Sequence, residues 1–171
     1  MQTTYGIEEA TRPLWLGRTP GAWGDVLRTV RPDQAHDAAA MVAAASLDWT
    51  VEQHPLEAVV EREYQTLRVP VPRHVVNVRS DTRAVLGVVG EGYEPLQNRQ
   101  AFAFCDAITD SGRAHWIGAG ATRGGARVHA LMRLDREIRI GGAQGEEVLP
   151  LLCFRNGHDG GLAVTIAVGA T

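Results

Sequence analysis

The sequence predicts an α+β fold: a mostly antiparallel, curved β-sheet of successive hairpins packed on one central helix, with an alanine-rich helix toward the N-terminus. Three observations predict it. Residues 74–93, 114–134 and 148–168 each read as two β-type runs about a Gly-, Asn- or Asp-rich turn, the pattern of a hairpin. Between the first two hairpins lies Asn98–Ile108, where Ala101, Phe104, Cys105 and Ile108 recur at i, i+3, i+4 and i+7 and set one helical stripe against the sheet. Further upstream, Ala35, Ala38, Ala39, Val42 and Ala45 recur at helical spacing behind Asp33, which suits an N-cap, and that helix runs to about Ser46. A chain of 171 residues is long enough for one compact core and too short for two full domains.

Taken in order, residues 1–32 read as an irregular segment, with Trp15 and Trp23 as anchors among prolines and glycines, and residues 33–171 as a single α+β domain. Leu47, Trp49 and Val51 alternate with polar residues and mark a strand. Glu57–Leu67 fits a short helix or a second strand, and Pro70 and Pro72 place a sheet edge after it. In the next hairpin the turn is Asp81-Thr82-Arg83, and Gly87, Gly90 and Gly92 in the return strand predict a bulge or a close backbone approach. Asn98 caps the central helix, and Ser111-Gly112 ends it. The second hairpin crosses Arg123-Gly124-Gly125; its return strand puts Val128, Ala130, Met132 and Leu134 on a core face and Arg127, His129, Leu131 and Arg133 on the other. The last hairpin turns through Asn156–Gly161 and returns as an apolar strand with nothing to protect it.

Composition removes several classes of function. All seventeen basic residues are Arg, so no phosphate-loop lysine, Schiff-base lysine or lysyl nucleophile exists in this chain. Arg offers a planar fork for phosphate or carboxylate but does not shuttle protons. The excess of Arg lies in the middle: residues 73–134 carry eight Arg against five acids, whereas residues 1–72 carry six against ten. No apolar run is long enough to span a bilayer and the first ten residues lack a secretory pattern, so a cytoplasmic protein with no membrane partner is expected. Cys105 and Cys153 each sit in an apolar pattern and read as buried small hydrophobes.

Ordered blocks of residues resemble a known family. Leu47–Glu52, Val78-Arg79-Ser80-Asp81-Thr82, Leu86–Gly90, Tyr93–Asn98 with Phe102, Ala119–Ala121 before Gly124-Gly125, and Asn156–Gly160 together are similar to the phage/plasmid-like protein family DUF932, over about residues 15–168. The resemblance implies a phage or plasmid setting and no assigned activity. Three departures stand out. Arg83 replaces a glycine of the pattern, which costs ~1 kcal/mol if the backbone there is left-handed. His129 stands where the family has an aromatic residue, and a C-terminal part of the family pattern is expected to be missing.

Three functional readings follow from the residues. The first is a single-stranded-DNA-binding or recombination-associated module, with Arg79, Arg113, Arg123, Arg127, His129 and Arg133 as a cationic sheet face and Trp116 and Tyr93 as the aromatic candidates for base stacking. The alternative is a non-catalytic protein-interaction or self-assembly module. The third is a metal-dependent hydrolase using His158 and Asp159 with Asp81, although three glycines and Asn156 around that pair match a hairpin turn. Gly118-Ala119-Gly120 lacks the following helix and the spacing of a dinucleotide site, and no serine lies in a nucleophile elbow. No cofactor is expected, and binding is favoured over catalysis.

Overall fold

The computed structural model describes residues 27–29, 37–136, 138–140, 146–148 and 150–170. The expected anchors Trp15 and Trp23, the expected cap Asp33 and the loop 141–145 lie outside them. The elements are β1 (Leu27–Thr29), α1 (Ala38–Ala44), β2 (Val51–Arg62), β3 (Gln65–Arg79), β4 (Val85–Gly90), α2 (Asn98–Thr109), β5 (Ala114–Thr122), β6 (Arg127–Leu134), β7 (Ile138–Ile140), β8 (Glu146–Val148), β9 (Pro150–Gly157) and β10 (Thr165–Ala170). The class is α+β and every strand pairing among the described residues is antiparallel. The strands divide into a five-stranded sheet ordered β1-β5-β6-β9-β10, a three-stranded sheet β2-β3-β4, and the pair β7-β8.

The core lies between the two helices and one face of the larger sheet. Val128, Ala130 and Met132 of β6, Trp116 and Ala119 of β5, and Leu152 and Phe154 of β9 meet Met41 and Val42 of α1 and Ala101, Phe102 and Cys105 of α2. Phe102 is the centre, stacked on Trp116 at 5.9 Å and edge-on to Phe154 at 6.2 Å. The phase of α2 therefore differs from the one the apolar residues predict. Asn98, Ala101, Phe102 and Cys105 are buried, and Phe104, expected in the core, is exposed. The N-cap is Gln97: its amide donates to Oε1 of Gln100, and its carboxamide pairs with both N and O of Val51. Asn98, expected as the cap, is drawn into the core instead. On α1 the cap is Asp37, whose carboxylate accepts from the Ala40 amide at 2.7 Å.

Other departures have local reasons. Leu27–Thr29, in the stretch read as irregular, pairs with Gly118–Gly120 of β5. Glu57–Leu67 is neither a short helix nor one strand but the tip of a hairpin, with β2 and β3 pairing through to Arg62 and Gln65 around a turn at Glu63-Tyr64. Pro70 falls where β3 has a partner on one side only, since β4 joins β3 from His74 onward. The glycine-rich return strand shows both expected features. Leu86 is the extra residue of a bulge, and a Cβ on Gly87 would lie 2.7 Å from Asp159 Cα. Arg83 has a φ of 60°, the left-handed conformation that glycine tolerates better. No described helix is long and apolar enough to cross a membrane.

Candidate functional site

The residue blocks that carry the resemblance converge where the smaller sheet, α2 and the Asn156–Gly161 turn meet. Asn98 Nδ2 donates to the carbonyls of Leu47 at 3.0 Å and Trp49 at 3.4 Å, which leaves its Oδ1 facing His158 Nε2 at 3.0 Å. The imidazole proton consequently sits on Nε2. The His158 amide donates to the Ala126 carbonyl, and its own carbonyl accepts from Asn77 Nδ2 at 2.8 Å. Gln53 Nε2 donates to Asn77 Oδ1, and the Tyr93 hydroxyl donates to the Gly157 carbonyl at 2.7 Å. Asn156 Nδ2 reaches the carbonyl of Leu96. Asn77, Asn98, Asn156 and His158 are all buried. Burial holds the imidazole of His158 down at about 4 against the opposing charge of Asp159, so it is neutral at pH 7.

A charged rim surrounds this junction. Arg79 lies 4.5 Å over the Trp49 ring, and Trp49 meets His158 edge-on at 5.6 Å. The guanidinium of Arg79 donates from Nε and Nη2 to both carboxylate oxygens of Asp81, at 2.8 and 2.7 Å, and from Nη1 to the Gly124 carbonyl. That bond holds the Asp81 carboxyl at about 2. Asp159 accepts from the Gly161 amide and from Arg127 Nε at 3.3 Å, with Arg123 at 3.8 Å. Burial pushes its carboxyl up, and these partners outweigh that and bring it below the usual range.

The six residues expected to form one cationic face are placed apart. Arg79, Arg123 and Arg127 are at the rim just described, each facing a carboxylate. Arg113 and Arg133 are exposed at the opposite end of the β5–β6 pair, where His115 sits across from Arg133. Between the two ends the face is closed: His129 is buried with its Nε2 at 3.2 Å from Thr122 Oγ1, and Leu131, Leu151 and Cys153 form a second buried cluster with Ile117. Burial first, then Arg155 and Arg127, hold His129 down at about 4. Trp116 is buried against Phe102, and Tyr93 is half-buried, so neither offers a free stacking face.

The expected hydrolase residues have structural partners: His158 bonds Asn98, Asp159 bonds Arg127, and Asp81 bonds Arg79. Among the described residues no three His, Cys, Asp or Glu side chains gather as a metal site would require. Both thiols are buried and pushed up by that burial, Cys105 to about 12 and Cys153 to about 11, which makes them inert.

Uncovered apolar surface stands in two places, of which the sequence pointed only to the final, unprotected strand. Beyond the irregular stretch Val71–His74, β2 and β3 continue as a two-stranded ribbon of six residue pairs, Glu57↔Pro70 to Arg62↔Gln65. Ala58↔Val69 and Val60↔Leu67 are two steps apart and so share one ribbon face. Val69 is 45% exposed, Val60 and Leu67 39% each, Val59 on the opposite face 59%, and Tyr64 in the turn 94%. A second apolar strip lies on β10. Ile166 and Val168 pair with Phe154 and Leu152 and therefore lie on the core face of the sheet, yet they are 45% and 66% exposed, and the adjoining Val164 is 48% exposed.

A family model described as a domain of unknown function, DUF932, matches residues 85–171. No curated protein and no solved structure matches the chain.

Proposed function

The chain belongs to the DUF932 family, whose description assigns no activity, and we propose that it is a non-catalytic protein-interaction module that associates with copies of itself. One observation carries this reading: the β2–β3 ribbon projects past the sheet with its Ala58, Val60, Leu67 and Val69 face open to solvent. A two-stranded ribbon is marginally stable alone in water, and a contiguous apolar face of this kind marks a contact surface. The ribbon's charge argues for protein over nucleic acid, since residues 57–70 carry three Glu and two Arg. Its contact is a face, not an edge. Pro55, Pro70 and Pro72 break the hydrogen-bonding edges, and Glu57, Glu61 and Arg62 charge them.

Sedimentation across a hundredfold range of concentration tests this reading. The wild-type chain is expected to associate reversibly, and Val60→Lys with Leu67→Glu to weaken that association at least tenfold. The two positions are register partners, so the opposite charges keep the ribbon paired while removing its apolar face. A wild-type chain that stays monomeric at several hundred micromolar overturns the proposal.

A second reading, single-stranded nucleic-acid binding, draws on the exposed corner formed by Arg113, His115 and Arg133. The other cations of the expected face are engaged or, like His129, buried. Two Arg contacts give a salt slope of only about −1.4 in log–log terms. Fluorescence anisotropy with labelled single-stranded DNA checks it: no binding at low salt removes this reading, and a slope well beyond that value means that other arginines take part.

A further inference from the structure

We infer that Asn156-Gly157 is a self-modification site, silent while the Asn156–Gly161 turn is closed on the junction and reactive once that turn opens. Asparagine followed by glycine is the dipeptide most prone to spontaneous deamidation, because glycine is flexible and has no side chain to hinder attack by its own amide nitrogen. The chain has three asparagines, and Asn77 and Asn98 precede Val78 and Arg99. Only at Asn156 is the following residue glycine.

The packing demands both halves of this dipeptide. A Cβ on Gly157 would lie 2.7 Å from both the Cβ and the carbonyl oxygen of Leu162, so a larger residue would displace Leu162. Asn156 is buried, and its Nδ2 donates to the Leu96 carbonyl at 2.9 Å, so that position calls for a neutral donor. The closed structure in turn suppresses the chemistry of the pair. Ring closure needs the Gly157 nitrogen against Asn156 Cγ, and the backbone between them must first rotate away from the extended conformation. β9 holds it extended, with Asn156 opposite Val128 and Gly157 opposite Arg127. Three tethers fix the segment further: the Asn156 carboxamide on Leu96, the Tyr93 hydroxyl on the Gly157 carbonyl, and the His158 amide on the Ala126 carbonyl.

Once the turn opens, the Gly157 nitrogen attacks Asn156 Cγ. The new N–Cγ bond forms, the Cγ–Nδ2 bond breaks, and Nδ2 leaves as ammonia with the proton that the Gly157 amide gives up. Water then opens the succinimide at one carbonyl or the other and leaves aspartate or isoaspartate. Neither product refits. A carboxylate at position 156 sets an acceptor against the Leu96 carbonyl where a donor stood, and carries a charge into a buried place. Isoaspartate also inserts a carbon into the β9 backbone and shifts its register on β6. A passing opening is thereby made permanent.

The test incubates the full chain at mildly alkaline pH and follows the amide-to-acid mass change of the tryptic peptide that begins at Asn156. In urea, Asn156 is expected to deamidate while Asn77 and Asn98 stay intact; in the folded chain it should react roughly a hundredfold or more slowly. Tyr93→Phe, which takes the donor from the Gly157 carbonyl and keeps the ring, should speed the folded chain's reaction about fivefold. Val42→Ala in α1 lowers global stability without touching the turn, and should leave the rate unchanged. A folded chain that deamidates as fast as the unfolded one, or a Tyr93→Phe variant at the wild-type rate, overturns the inference. If Val42→Ala accelerates the reaction as much as Tyr93→Phe does, the reaction runs through global unfolding and the inference also falls. Asn156→Asp reproduces the first product, and is expected to lose the cooperative urea transition or to shift its midpoint clearly below that of the parent. An Asn156→Asp chain as stable as the parent overturns the permanence of the opening.

Discussion

Acid should unfold this protein through His158, and the effect can be worked from its surroundings. The imidazole is fully buried, donates from Nε2 to Asn98 Oδ1, and faces Trp49 edge-on. Its pKa sits at about 4 when folded, whereas an unfolded histidine titrates near ~6.5. The unfolded chain therefore binds a proton that the folded chain refuses between those values, so stability is full above about pH 6.5 and falls as pH drops toward 4. The difference is about 2.5 pH units, or about 3 kcal/mol at 1.36 kcal/mol per unit. His129, also held at about 4 by burial and by Arg155 and Arg127, adds a loss of similar size and sign. Together they approach the whole stability of an ordinary domain, about 5–15 kcal/mol. Asp81, held at about 2, loses its contribution only below about pH 4, outside this window. Urea unfolding at pH 7, 6, 5 and 4.5 measures the slope. In His158→Gln, which keeps a donor toward Asn98 without a titrating group, the slope between pH 6.5 and 4 should fall by close to one proton. An unchanged slope in that variant would refute the reasoning, because it would mean that charged His158 finds solvent or a partner when folded.

Four further outcomes follow from the same junction and its flanks. Gly87→Ala places a Cβ 2.7 Å from the Asp159 backbone, and should cost about 2 kcal/mol and lower the thermal midpoint by roughly 6 °C; no change would mean that the turn does not rest on β4. Asn98→Ala strips the Leu47 and Trp49 carbonyls and His158 Nε2 of a partner, and should lower unfolding free energy by about 3 kcal/mol, read from the urea midpoint. Gly125 has a φ of 110° with Arg79 Cδ 2.9 Å and Trp49 Cζ2 3.1 Å from an added Cβ, so Gly125→Ala should displace Arg79 from the Trp49 ring and shift tryptophan fluorescence along with a loss of stability. At Arg83, relief of the left-handed backbone by Arg83→Gly, about 1 kcal/mol, is offset by the flexibility of unfolded glycine, so that variant should match the parent within about 0.5 kcal/mol, while Arg83→Ala should fall below it; calorimetry of the pair decides the order.

The hairpins were legible because each advertises itself locally, by alternation and by a turn such as Asp81-Thr82-Arg83. The core face of β6 was legible for the same reason: Val128, Ala130 and Met132 keep period two and are buried. The phase of α2 was not, since its first buried position is Asn98, and a stripe counted from apolar residues alone rotates toward Phe104. What draws Asn98 inward is a pair of carbonyls some fifty residues earlier and a histidine sixty later, which no local pattern displays. His129 failed similarly: its alternation reads as a polar face, and the cluster that closes that face joins Leu131 to Leu151 and Cys153 of another strand. The ribbon was half visible. Glu57–Leu67 has apolar residues at both parities, which suits a strand pair standing clear of any core as well as it suits a helix. The β10 strip was legible in part: residues 162–170 carry no charge and no proline and read as an apolar strand with nothing to protect it.

The hydrogen bonds of the junction join residues far apart along the chain: 46 positions separate Val51 from Gln97, 60 separate Asn98 from His158, and 81 separate Asn77 from His158. Contacts of such separation close only after the intervening hairpins have formed, so this knot is tied late and folding is slow compared with a helical protein of the same size. A chain begun at Val85 keeps Asn98 and His158 but lacks Leu47, Trp49 and Asn77, and a nascent chain that has not reached His158 has the converse deficit. In either case the knot cannot be completed, and the half-built chain is left open to proteolysis, while only the finished molecule fixes the small sheet, α2 and the Asn156–Gly161 turn against one another.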